Sequence, residues 1–140
     1  MATTATQNVD KVGRFFEFMH HKQIDQWGDL WANDARITIA YSPDGFASEI
    51  VGKDEIVAGF RQLFANFENY DYVVKALYKT VNPDVIIVEW SVLAKIKSTG
   101  ESYEGDNITV VRFADGLIVE YHDYFNPAKF ARVVEALPTT

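Results

Sequence analysis

After Phe67 the hydrophobic period of this chain switches from that of a helix to that of a strand, and it stays there as far as Phe125. Four extended runs follow one another: Tyr70–Val81, Val85–Lys97, Tyr103–Phe113 and Leu117–Phe125. They are broken at Asn82-Pro83-Asp84, at Ser98-Thr99-Gly100 and at Ala114-Asp115-Gly116, all turn-forming sequences. The Asp115-Gly116 pair is a strong hairpin signal, because both residues tolerate the positive φ of a tight turn. Strands joined in succession by such short links pair antiparallel.

Upstream, the spacing predicts helices. Val9, Val12, Phe15, Phe16, Phe18 and Met19 place a helix over Asn8–His21, with Asn8 as its N-cap. A shorter helix over Gln23–Trp31 carries Ile24, Trp27, Leu30 and Trp31 on one side and ends at Asn33-Asp34. Arg36–Tyr41 reads as a strand, Ser42-Pro43-Asp44-Gly45 as a turn and Ser48–Val51 as a short strand closed by Gly52. Lys53–Phe67 is the clearest helix, with Asp54 and Glu55 in its first turn, where the helix dipole favours them. Asn126 caps a last helix running to Leu137, with Pro127 at its first position. These helices cannot all be crossovers, so they pack on one face of a curved antiparallel sheet: a single α+β domain over residues 1–140. Its ordered core is residues 8–137, with both ends frayed. A chain of this length buries about two-thirds of its unfolded surface and needs no staple.

Composition narrows the chemistry. There is no cysteine, which excludes disulfides, thiolate metal sites and cysteine nucleophiles. With 13 basic against 20 acidic residues the net charge is −7, and no basic stripe offers itself to nucleic acid. The N-terminus lacks a signal-peptide pattern and no apolar run suits a membrane helix, so a cytoplasmic location is expected. His20 and His21 end a helix and point apart, so no metal site is expected. Aromatic residues are abundant: 10 Phe, 7 Tyr and 3 Trp.

Three segments carry a resemblance. They are Leu30-Trp31-Ala32-Asn33-Asp34-Ala35, Val51-Gly52-Lys53-Asp54-Glu55-Ile56, and the run from Asp115 to Asn126 that contains Tyr121-His122-Asp123-Tyr124. In this order they resemble the nuclear-transport-factor-2-like superfamily of cone-shaped α+β barrels, across about residues 8–137. Within it the chain is most similar to the SnoaL-like polyketide cyclases, the phenazine-biosynthesis A/B proteins and limonene-epoxide hydrolase. The resemblance implies a curved sheet wrapped around N-terminal helices, a hydrophobic ring compound inside the cone, and a homodimer through the open sheet face. It also separates the chain from some relatives. The acid–base positions of ketosteroid isomerases fall on Phe15, Ile39 and Thr109. Of the epoxide-hydrolase residues only the final aspartate is matched, at Asp123, the others falling on Trp90, Val92, Ile37 and Ile39. Phenazine-type proteins and SnoaL cyclases carry an acid at that position too, whereas the phenazine-type pocket histidine falls near Gly59.

Strand parity then predicts a pocket. If Asp123 points into the cone, so do Tyr121 and Val119, and on neighbouring strands Asn107, Thr109 and Val111, then Trp90, Val92 and Ala94, then Ile37, Ile39 and Tyr41. Phe15, Met19, Phe60, Leu63 and Phe64 supply the helical wall. An aspartate among such walls is desolvated, which raises its pKa and makes it a candidate general acid. Tyr121 and Asn107 would orient a substrate, with no cofactor. The plainer readings stand beside these. Asp123 is a structural acid, Trp90 fills the cone, Tyr121 and Tyr41 are packing residues, and Asn107 and Thr109 are ordinary strand positions. The opposite parity mixes Ser91, Arg112, Glu120 and His122 with Leu93, Ile118 and Tyr124, as a dimer face would. If the turn at Pro43 covers the mouth, Asp44 and Glu49 flank it and would repel anionic ligands. Two functions are therefore carried forward: an acid–base isomerase or cyclase, and a non-catalytic binding or dimerisation module.

Overall fold

Thr3 starts the first helix: its hydroxyl accepts the Thr6 amide at 3.2 Å. The computed structural model describes residues 3–137, so Met1, Ala2 and Pro138–Thr140, where frayed ends are expected, lie outside the described residues. Helix α1 spans Thr4–His20 and therefore begins before Asn8. Asn8 is not a cap. It is buried inside the helix, and its amide nitrogen donates to the Pro83 carbonyl at 3.0 Å, tying α1 to the turn after the third strand.

Helix α2 is only Ile24–Gly28, and β1 runs Trp31–Ile39. Trp31, Asn33 and Asp34 thus belong to a strand. Trp27 and Trp31 have helical spacing because both reach the same core: they are fully buried with ring centroids 5.3 Å apart, one from the helix and one from the strand. The remaining elements are β2 Glu49–Val51, α3 Lys53–Ala65, β3 Phe67–Lys79, β4 Val85–Ile96, β5 Ser102–Ala114, β6 Leu117–Phe125 and α4 Pro127–Glu135. Phe67 opens β3 instead of closing α3. Asn126 caps α4 as expected, its side-chain oxygen accepting the Ala128 amide at 2.9 Å.

The strands form one six-stranded sheet in the order β2-β1-β6-β5-β4-β3. The hairpin links give antiparallel pairs, but β1 joins β6 in parallel, with Ile37 opposite Tyr121 and Ile39 opposite Asp123. The sheet is therefore mixed. Turn sequences fix the direction of strands they join, and β1 is separated from β6 by most of the chain. Bulges interrupt β1–β6, β3–β4 and β5–β6, and bulges bend and twist a sheet. The β5–β6 bulge pairs Arg112 with Glu120 but Phe113 with Ile118. Parity flips there, so Ile118 is buried in the core and Val119, expected inside, is half-buried.

The helices cover one face. Phe16, Trp27, Trp31, Phe64, Phe67 and Phe113 are fully buried there. Each such side chain contributes about 1.5–3 kcal/mol by leaving water. The other face exposes Val73, Leu93, Ile108 and Tyr124. Beside them Arg112 grips Glu120 through two hydrogen-bonding contacts, at 2.9 and 3.3 Å.

Candidate functional site

Asp123 sits on β6 directly opposite Thr109 of β5, with Asn107 two residues along the same face. The Thr109 hydroxyl donates to Asp123 Oδ1 at 2.9 Å. Asn107 Nδ2 donates to Oδ1 at 3.2 Å and to Oδ2 at 3.4 Å. On β4 the Trp90 indole N–H donates to Thr109 Oγ1 at 3.0 Å. An indole nitrogen can only donate, so Thr109 accepts from Trp90 and turns its own hydrogen toward the carboxylate. Oδ1 takes the two shorter hydrogen bonds and Oδ2 only the longer one from Asn107, so Oδ2 is the oxygen better placed to carry the proton when the carboxyl is neutral. The exposed part of Asp123 borders a small chamber whose walls are largely apolar. Burial there pushes its pKa up to about 6, against the opposing hydrogen bonds from Thr109, Asn107 and the Tyr124 backbone.

Three tyrosines stand in the same field: Tyr70 of β3, Tyr103 of β5 and Tyr121 of β6. Burial first, and the charge of Asp123 second, hold all three hydroxyls well above the usual tyrosine value. At neutral pH they are O–H groups and cannot act as bases. Tyr103 and Tyr70 both pair across the sheet with Ala94, whose small side chain leaves them room. Tyr103 lies over Gly105: a Cβ there would sit 2.5 Å from the tyrosine oxygen.

The chamber encloses about 50 Å³, with Met19, Trp90, Asn107, Tyr121, Asp123 and Phe130 among its walls. Next to it is a half-open vestibule of about 590 Å³ between β2, α3 and the end of α4. Phe46, Phe60 and Leu63 line both spaces and divide them.

A SnoaL-like domain profile matches residues 12–121, most of the chain. The chain belongs to the SnoaL-like domain family. Among curated proteins it is 27% identical to YesE of Bacillus subtilis (strain 168), over 81% of this chain and 78% of that one. It is 29% identical to the PhzA/B-like protein PA3332 of Pseudomonas aeruginosa, over 74% and 72%. Among solved structures it superposes on a candidate isomerase from Bacillus subtilis with a TM-score of 0.88 at 23% identity, covering 96% of this chain and 97% of the other. That likeness confirms the fold, an α+β domain with a curved sheet and N-terminal helices.

Within this SnoaL-like cone the expected residues divide. Asp123, Tyr121, Asn107, Trp90, Met19 and Phe60 border the chamber together. Thr109 is fully buried and acts on Asp123 from behind the wall. Trp90 narrows the cone without closing it, and its N–H is committed to Thr109. Three residues correct the expectation. Tyr41 is 61% exposed, because β1 ends at Ile39 and the alternation ends with it; its ring lies 6.2 Å from Tyr124. Phe15 stacks on Tyr121 at 5.3 Å and supports the wall instead of facing the chamber. Phe64 packs behind Phe60 and Tyr70, at 5.5 and 5.2 Å. The sequence reading missed Tyr70, Tyr103, Phe125, Phe46 and Phe130; Tyr103 and Phe125 share faces with Asn107 and Asp123 and were there to be counted, whereas Phe46 and Phe130 lie off the strands. Among the described residues no three His, Asp or Glu side chains converge as metal ligands, and no helix is long and apolar enough to cross a membrane.

Proposed function

We propose that this protein is a cofactor-free acid–base catalyst of the isomerase or cyclase type, acting on a hydrophobic ring compound. The observation that carries the reading is the half-buried Asp123, held by Thr109 and Asn107 and open to the chamber, where desolvation pushes its pKa up to about 6. A carboxyl of that pKa is present in both forms close to neutral pH, where general acid–base catalysis is most effective. Its neutral form offers the Oδ2 proton to a carbonyl oxygen. Its ionised form accepts a proton from an activated carbon. Tyr103 and Tyr121 remain O–H donors and can hold a substrate oxygen in a site with little competing water.

A non-catalytic binding module is the second reading. It is favoured by the aliphatic Ile37, Ile39 and Val92, where active relatives on this fold place polar groups. In either case the exposed Val73, Leu93 and Ile108 support a homodimer through the open sheet face.

Thermal shift against neutral steroids, epoxides, polyketide-like ketones and aromatic carboxylates identifies a binder, and turnover of that binder is then followed in wild type and Asp123→Asn. The expected result is a folded variant that still binds but turns over about 10²–10⁴-fold more slowly. Wild-type turnover by the variant refutes the catalytic role. Binding without turnover by either protein selects the second reading.

A further inference from the structure

The chamber beside Asp123 is small. Its volume of about 50 Å³ holds about three or four waters, or one small polar substituent, but not a ring compound. Any such ligand must lie mostly elsewhere. The vestibule is the neighbouring space, more than ten times larger, and Phe46, Phe60 and Leu63 form its inner wall and the outer wall of the chamber.

Gly59 stands on the vestibule floor inside α3. A glycine within a helix costs about 1 kcal/mol relative to alanine. Packing does not require it: a Cβ at this position would meet nothing within 4 Å. Ala58 beside it, with Ala47 and Gly45 also in the lining, adds little side-chain bulk to the space. The vestibule rim is acidic. Glu49 is held by Arg36 at 3.2 Å, whereas Glu55 has no ion-pair partner among the described residues.

We propose that the vestibule over Gly59 seats the body of the ligand, an uncharged ring compound whose small carbonyl or hydroxyl head passes Phe46, Phe60 and Leu63 to reach Asp123. The inference rests on the proposed function for the head alone; the body's seat stands on the volumes and the bare floor. Glu55 and Asp123 together disfavour a carboxylate or sulfonate at either end.

The probe is prodan, a neutral naphthyl ketone that brightens in apolar surroundings, compared with the anionic 1-anilinonaphthalene-8-sulfonate. Wild type is expected to bind prodan about tenfold or more tightly than the sulfonate. Gly59→Phe fills the vestibule and is expected to weaken prodan about tenfold or more without lowering Tm, while Gly59→Ala stays close to wild type. Ala58→Leu is the second filling variant should Gly59→Phe lose its fold. Undiminished prodan binding by folded Gly59→Phe or Ala58→Leu overturns the proposal, as does no prodan binding by wild type or equal affinity for the sulfonate. Asp123→Asn separates the two readings: failure of the acid–base role leaves prodan binding sensitive to residue 59, and failure of the vestibule leaves turnover sensitive to residue 123.

Discussion

Replacing Asp123 with asparagine should stabilise the protein at neutral pH and do nothing for it in acid. The carboxyl titrates near 3.8 in an unfolded chain and near 6 in the fold, because burial penalises its charge. Between these values the native state holds more protons than the unfolded state, so stability falls as pH rises through the window. The full cost is in place above about pH 6 and amounts to about 3 kcal/mol. Asparagine has nearly the same shape and no charge. Its oxygen can keep the Thr109 hydrogen bond, and its NH₂ can be met by Asn107 Oδ1, which is buried with no partner and needs only an amide flip to accept. Denaturant unfolding of both proteins from about pH 4 to about pH 8 isolates the effect, since every other titrating group cancels in the difference. The variant should gain about 3 kcal/mol on wild type across that range, equivalent to about 10 °C in Tm. A difference that is flat with pH refutes the reasoning, because it would mean that the carboxyl is as well solvated in the fold as outside it.

Three further outcomes follow from named contacts. Thr109→Val strands the buried Trp90 N–H and removes a donor that holds the Asp123 pKa down, so stability falls by about 1–3 kcal/mol and carboxyl NMR shows Asp123 titrating higher than in wild type. Gly105→Ala drives a methyl into the Tyr103 hydroxyl and should cost about 1–3 kcal/mol in denaturant unfolding, with a neutral result showing that Tyr103 does not need this bed. Leu93→Glu, on the exposed sheet face, should convert a sedimenting dimer to a monomer of unchanged helical content, and a wild type that sediments as a monomer removes the dimer proposal.

Much of this molecule is legible in its sequence, and the failures share a cause. Turn chemistry fixed β3 to β6 and the capped start of α4, because those signals act over a few residues. The same parity gathered Asp123, Asn107, Thr109 and Trp90, since β4, β5 and β6 run in unbroken register through that stretch. Parity failed where the backbone departs from it: at the β5–β6 bulge, which put Ile118 inside instead of Val119, and at the end of β1, which left Tyr41 in solvent. Trp31 carried a helical spacing into a strand because two elements converge on one core. Tyr70 was hidden for a different reason. Bulges in β3 disrupt its alternation, and only the pairing with Ala94 reveals which way it faces.

The parallel docking of β1 on β6 has a consequence for how the protein acquires its site. The four meander strands are joined by local turns and can assemble from contacts close in sequence, which are fast to form. Ile39 reaches Asp123 only by closing a loop that contains nearly the whole meander, and that entropy is met late. The chamber wall is therefore expected to be the last part built, with amide protection appearing on β1 after β4 and β5 in pulsed hydrogen exchange. Until then β6 is an unguarded strand edge, open to pairing with another chain. On docking, the strand that completes the pocket also covers that edge.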